Sequence, residues 1–242
     1  MQNEGSMADP ALGKKLLLIS NSVCHNKPYL SHCAGAIRQF LGDATKITFV
    51  PYAARDWNGY ARQVRGALAE FGLEVESVHE NGPWPHTLPD NPAVFVGGGN
   101  TFRLLKTLQD GGLLDQIRRR VLGGMRYMGS SAGANLACPT IKTTNDMPIV
   151  QPADFRALGL VGFQINPHYI DADPNSKHMG ETRDKRIAEY HEENDLTVIG
   201  LREGSWIVVD QESATLHGET GAKIFLQGKV PAEWDRQVDL PA

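Results

Sequence analysis

The sequence predicts an α/β fold, a single domain on a doubly wound, mostly parallel sheet with an antiparallel extension near the C-terminus. Three observations carry this. Short apolar runs rich in β-branched residues alternate with longer amphipathic stretches, as parallel strands and crossover helices do. Each short run ends in a turn signal. Beyond the fifth run the strand-like segments continue with little helix between the later ones, the pattern of antiparallel neighbours.

In order, residues 15–20, 47–51, 75–79 and 93–96 read as strands that are apolar on both faces, the mark of a buried parallel sheet. Residues 29–41 and 57–71 place apolar side chains every three or four positions and read as helices lying on that sheet. Four prolines and glycines within residues 81–90 exclude either regular element, so a surface loop is expected there. A strand over 126–129 and further strands over 164–166, 196–201, 206–210, 214–216 and 224–227 complete the sheet. Residues 1–13 read as a loose tail or cloning remnant, and 14–242 as one domain without linker or repeat.

Composition narrows the function. The 242 residues are 41% hydrophobic and 21% charged, with a formal net charge of −4. That balance offers no general attraction to nucleic acid or to an anionic membrane. No apolar run approaches the roughly 20 residues that cross a bilayer, so no membrane partner is expected. The start of the chain lacks the basic-then-apolar order of a secretory signal, and Cys24, Cys33 and Cys138 show no metal or redox spacing. Cytoplasmic placement is the expectation. A homodimer is left open.

A serine hydroxyl becomes a nucleophile only when it is exposed, placed beside a base and faced by donors for an oxyanion. Gly129-Ser130-Ser131-Ala132-Gly133 follows a strand and opens a helix over 132–137, the arrangement of a nucleophile elbow. Ser131, midway between the two glycines, takes the apex, and Ser130 ends the strand. A capping serine in a tight turn is the plain alternative. Gly97-Gly98-Gly99-Asn100 is a second glycine turn between a strand and the helix over 101–108. Its bare amides suit an oxyanion hole, with Gly98, Gly99 and Ala132 as candidate donors; neither a Gly-Lys-Ser/Thr nor a complete GxGxxG supports a nucleotide loop. Among eight histidines, His168 closes the short strand Gln164-Ile165-Asn166-Pro167-His168 and is the candidate base, with His178 weaker. Asp146, on a turn between serine and histidine in the chain, is the candidate orienting acid. No metal-ligand spacing appears, so no metal or other cofactor is expected.

The strings GGGNTFRLLK, GSSAGANLACPTIKTTNDMPIV, QINPH, GETRDKRI and LTVIGLREGSWI together resemble the peptidase E, or aspartyl dipeptidase, family of serine peptidases. The resemblance implies a flavodoxin-like sheet related to class I glutamine amidotransferases. It implies hydrolysis of small Asp-Xaa peptides by a triad of Ser131, Asp146 and His168. Selection of an N-terminal aspartate needs a fixed cation and a fixed acceptor. Arg183 is the candidate for the carboxylate, Glu203 for the ammonium, and Asn100 for a further substrate contact. The chain departs from the family pattern at Ser130, where tryptophan is usual, and in a longer loop over 171–179. Rivals are a cyanophycinase-like hydrolase of β-aspartyl peptides, a non-catalytic binding protein of the same fold and an α/β-hydrolase esterase.

Overall fold

The computed structural model describes residues 13–173, 175, 177, 179–235 and 240–241. The strands are β1 (Lys15–Ile19), β2 (Lys46–Val50), β3 (Glu74–Ser77), β4 (Ala93–Val96), β5 (Arg126–Ser130), β6 (Gln164–Tyr169), β7 (Val198–Arg202), β8 (Ser205–Asp210), β9 (Ser213–Gly218), β10 (Ala222–Phe225), β11 (Ala232–Glu233) and β12 (Leu240–Pro241). The helices are α1 (Ala34–Leu41), α2 (Trp57–Ala69), α3 (Thr101–Asp110), α4 (Leu113–Leu122), α5 (Ala132–Leu136) and α6 (Arg183–Glu193).

An eight-stranded sheet runs β12-β9-β8-β1-β5-β4-β2-β3. From β1 to β3 all neighbours are parallel, and β8, β9 and β12 are antiparallel to their neighbours, as expected of the C-terminal extension. Leu16 to Ile19 are all 0% exposed. Successive side chains point to opposite faces, so Leu16 and Leu18 enter one core while Leu17 and Ile19 enter the other. The first core takes Leu104, Leu105 and Leu108 of α3 with Leu113, Ile117 and Val121 of α4; the second takes Ile37 and Leu41 of α1 with Ala61, Val64 and Leu68 of α2. The result is a three-layer sandwich, as a strand apolar on both faces requires.

The sequence reading differs from the structure at several points. Residues 113–122, unassigned above, form α4, entered through Gly112 at φ 64°. The helix expected over 29–41 is broken, because Leu30 at φ 58° forces a short 3-10 turn before α1 begins. The strands after α5 do not all join the main sheet. Instead β6 and β7 pair in parallel and, with β10 and β11, build a second four-stranded sheet around Tyr169, Ile187, Val198 and Phe225.

At the carboxyl ends of β4 and β5 the backbones approach closely. A Cβ on Gly133 would sit 2.1 Å from the Val96 carbonyl oxygen, and one on Gly129 would sit 2.4 Å from the Gly133 carbonyl oxygen. Only glycine lets α5 start this near the sheet. Gly133→Ala is expected to lower stability by about 1–3 kcal/mol, read as a fall in the urea midpoint with an unchanged slope; an unshifted midpoint would show that the contact relaxes freely.

Candidate active site

Ser131 lies between β5 and α5 with φ 53° and ψ −109°, a conformation that L residues rarely adopt. Such strain marks the apex of an elbow. Its N–H donates to the Ile19 carbonyl at 2.9 Å, and Ser130 closes β5 as expected. His168 also has a positive φ, 53°, and is the extra residue of a bulge, since Pro167 pairs with Leu201 and Tyr169 with Arg202. The bulge turns the imidazole out of the strand pattern. Its Nε2 lies 2.9 Å from Ser131 Oγ, and its Nδ1 lies 2.6 Å from Glu203 Oε1. A carboxylate only accepts, so Nδ1 carries the proton and Nε2 is left to accept from the serine hydroxyl.

The two strands that deliver His168 and Glu203 are tied to the main sheet by the end of β1. The buried Ser20 hydroxyl accepts the His168 N–H at 3.0 Å and donates to the Leu201 carbonyl at 2.8 Å. Asn21 Oδ1 accepts the Gly204 N–H at 2.8 Å, beside Glu203.

Several assignments made from sequence change here. Asp146 does not touch His168: its Oδ2 accepts from Thr101 N–H at 2.7 Å, Thr101 Oγ1 at 2.5 Å and Thr144 Oγ1 at 3.2 Å. Glu203, read as an ammonium contact, is instead the partner of the imidazole. Asn100 is occupied at both ends of its amide, accepting the Arg103 N–H as the cap of α3 and donating to the Met147 carbonyl. The Gly98 N–H donates to the Tyr60 hydroxyl at 2.8 Å, which removes it from the oxyanion candidates. Tyr60 in turn lies 3.1 Å from the Tyr29 hydroxyl, and burial raises both phenols above their ordinary range, so both stay protonated. Among the described residues, the Gly99 and Ala132 N–H groups have no acceptor. Gly98 lies against Ser131, where an added Cβ would be 3.1 Å from the serine Cβ. Arg183, the first residue of α6, is half-buried and pairs with no described carboxylate. Burial, and then the charge of Arg186, pull its guanidinium below its ordinary value. His178 lies outside the described residues.

The matching family model is that of peptidase family S51, over residues 16–217. The chain belongs to peptidase family S51. As a member it is a serine-type peptidase, which agrees with the Ser131–His168 contact. It is 52% identical over 218 residues to peptidase E of Streptomyces coelicolor, covering 90% of each chain. It is 46% identical over 218 residues to a "probable alpha-aspartyl dipeptidase" of Drosophila melanogaster, covering 89% of this chain and 91% of the other. Its fold is like that of a solved peptidase from an acI-B1 actinobacterium, at TM-score 0.64 and 16% identity over 95% of this chain and 97% of the other. No helix among the described residues of this S51 peptidase is long and apolar enough to cross a membrane.

The S51 chain also holds the strands that carry His168 and Glu203 in register with an ion network. Arg202, next to Glu203, donates to both oxygens of Asp171, three residues past His168, and to both oxygens of Glu233; Lys223 reaches Asp171 at 2.6 Å. Hydrogen bonds from Arg202, and secondarily from Lys223, overcome the cost of burial and hold the Asp171 carboxyl at about 2. A depressed carboxyl stabilises the fold above its unfolded value near 4 and loses that contribution as pH falls towards the folded value. The wild-type thermal midpoint should therefore fall between pH of about 4 and about 2 more steeply than that of Asp171→Asn, and less so in high salt. Parallel curves would exclude the clamp as a source of acid sensitivity.

Proposed function

We propose that the chain is a serine dipeptidase that hydrolyses Asp-Xaa, with Ser131 as nucleophile, His168 as general acid and base, and Glu203 as the carboxylate that orients and charges against the imidazole. The observation that carries this is the continuous hydrogen-bonded line Glu203–His168–Ser131 at a strained elbow. The likeness to the probable alpha-aspartyl dipeptidase of Drosophila melanogaster supports the aspartyl preference.

Ser131 Oγ attacks the scissile carbonyl as its proton passes to His168 Nε2. The tetrahedral oxyanion forms against the Gly99 and Ala132 N–H groups, the second at the head of α5. His168 then gives its proton to the leaving amine, and water enters by the same route to release aspartate from the acyl-enzyme. Tyr60 acts as a positioning residue: by accepting the Gly98 N–H it sets the next peptide, so that Gly99 presents its own N–H to the oxyanion. Arg183 receives the substrate β-carboxylate, since a half-buried guanidinium without a protein carboxylate is poised for an external one.

One assay panel with Asp-Leu and Leu-Leu tests the assignment. Ser131→Ala should lose at least about a thousandfold in kcat, and Glu203→Gln about a hundredfold or more. Arg183→Met should lose about a hundredfold in kcat/KM on Asp-Leu while leaving Leu-Leu unchanged. Retained activity in Ser131→Ala would overturn the mechanism, and equal losses on both peptides would remove Arg183 from recognition. Tyr60→Phe should lower kcat about tenfold with little change in KM. A pure KM effect would place Tyr60 in substrate binding instead.

A further inference from the structure

An enzyme that removes one N-terminal residue must recognise a free ammonium, and Glu203, facing His168 Nδ1, is committed elsewhere. We propose that Asp146 receives the substrate α-ammonium; this rests on the aspartyl dipeptidase reading above.

Three observations converge on Asp146. Its position is bracketed by the catalytic elements. On one side it binds the N–H and hydroxyl of Thr101, two residues past Gly99. On the other side the preceding Asn145 donates to the Pro167 carbonyl at 2.7 Å, next to His168, and accepts from Asn166 at 2.8 Å. These contacts hold Asp146 between the loop that carries Gly99 and the strand that carries His168. Its two oxygens are also unlike. Oδ2 takes all three donors, from Thr101 twice and from Thr144, which fixes the rotamer, while Oδ1 has no partner among the described residues. Capping alone does not account for the carboxylate, because α3 already has its cap in Asn100 and the three donors need only one oxygen. Asp146 is partly exposed, so Oδ1 is reachable by a ligand.

Asp146→Asn is close to isosteric. Its amide oxygen can keep the Thr101 and Thr144 donors, and its NH₂ then stands where the free oxygen was, turning an acceptor for ammonium into a donor. The measurement is calorimetric binding in the Ser131→Ala background, which binds without turnover, using Asp-Leu and succinyl-Leu, its analogue lacking the ammonium. In Ser131→Ala, Asp-Leu should bind at least about thirtyfold more tightly than succinyl-Leu. Adding Asp146→Asn should weaken Asp-Leu by a similar factor and leave succinyl-Leu within about threefold. Equal weakening of both ligands, loss of both, or no change in either would overturn the proposal. Failure of Ser131→Ala to distinguish Asp-Leu from Leu-Leu would instead overturn the aspartyl reading, and this assignment with it. Thermal midpoints of the two variants serve as the folding control.

Discussion

The buried hydroxyl of Ser20 is the contact on which the rest of the site depends. It accepts from the backbone of His168 and donates to the strand that leads to Glu203, and it stands at the end of β1, beside the strand that leads to Ser131. Its neighbours complete the arrangement: the Ile19 carbonyl holds the Ser131 N–H, and the Asn21 amide oxygen holds the Gly204 N–H. Three consecutive residues thus hold the backbones at or beside Ser131, His168 and Glu203, although these come from two different sheets. Each unmade bond in such a buried place would cost about 1–3 kcal/mol, so the sheets cannot slide without losing several together.

That stiffness is what lets strain persist. Ser131 and His168 each hold a positive φ, a conformation that costs on the order of 1–3 kcal/mol in a residue with a side chain. The two face each other across 2.9 Å, so the strain is concentrated at the Ser131–His168 contact. It is tolerated because the surroundings leave no relaxed alternative. Gly98, Gly129 and Gly133 bring backbone against backbone on every side of the elbow, and the bulge at Pro167 and Tyr169 fixes the turn of the imidazole.

What was legible in the sequence follows from how local each signal is. The elbow and the glycine loop were readable because a strand, a sharp turn and a helix lie within a few residues, and close backbone approach demands glycine at particular places. His168 was readable for the same reason, at the end of a short strand before a turn. The acids were not. Asp146 and Glu203 both sit on turns near the right strands, and only the three-dimensional pairing decides which one meets Nδ1. Chain order pointed to Asp146, but β6 and β7 lie side by side in their own sheet with Arg202 opposite Tyr169, and the carboxylate of the next residue, Glu203, reaches His168 Nδ1. A separate sheet cannot be told from an extension of the main one by alternation alone. Ser20 had no signal beyond a polar residue closing an apolar strand, and Tyr60 looked like any aromatic on a helix face.

The exposure of His168 and Glu203 explains why so much backbone anchoring is present. The side chains of His168 and Glu203 are 39% and 53% exposed, and even a full ion pair so open to water would be worth only about 0–1 kcal/mol. Attraction between them therefore cannot hold the imidazole to a fixed direction. The direction has to come from covalent geometry and buried hydrogen bonds one residue away: the bulge and Ser20 behind His168, Asn21 after Glu203, and Arg202 before it. A pair held from behind in this way keeps its front face open to solvent. The cost is that catalysis should be sensitive to substitutions at residues that never touch substrate.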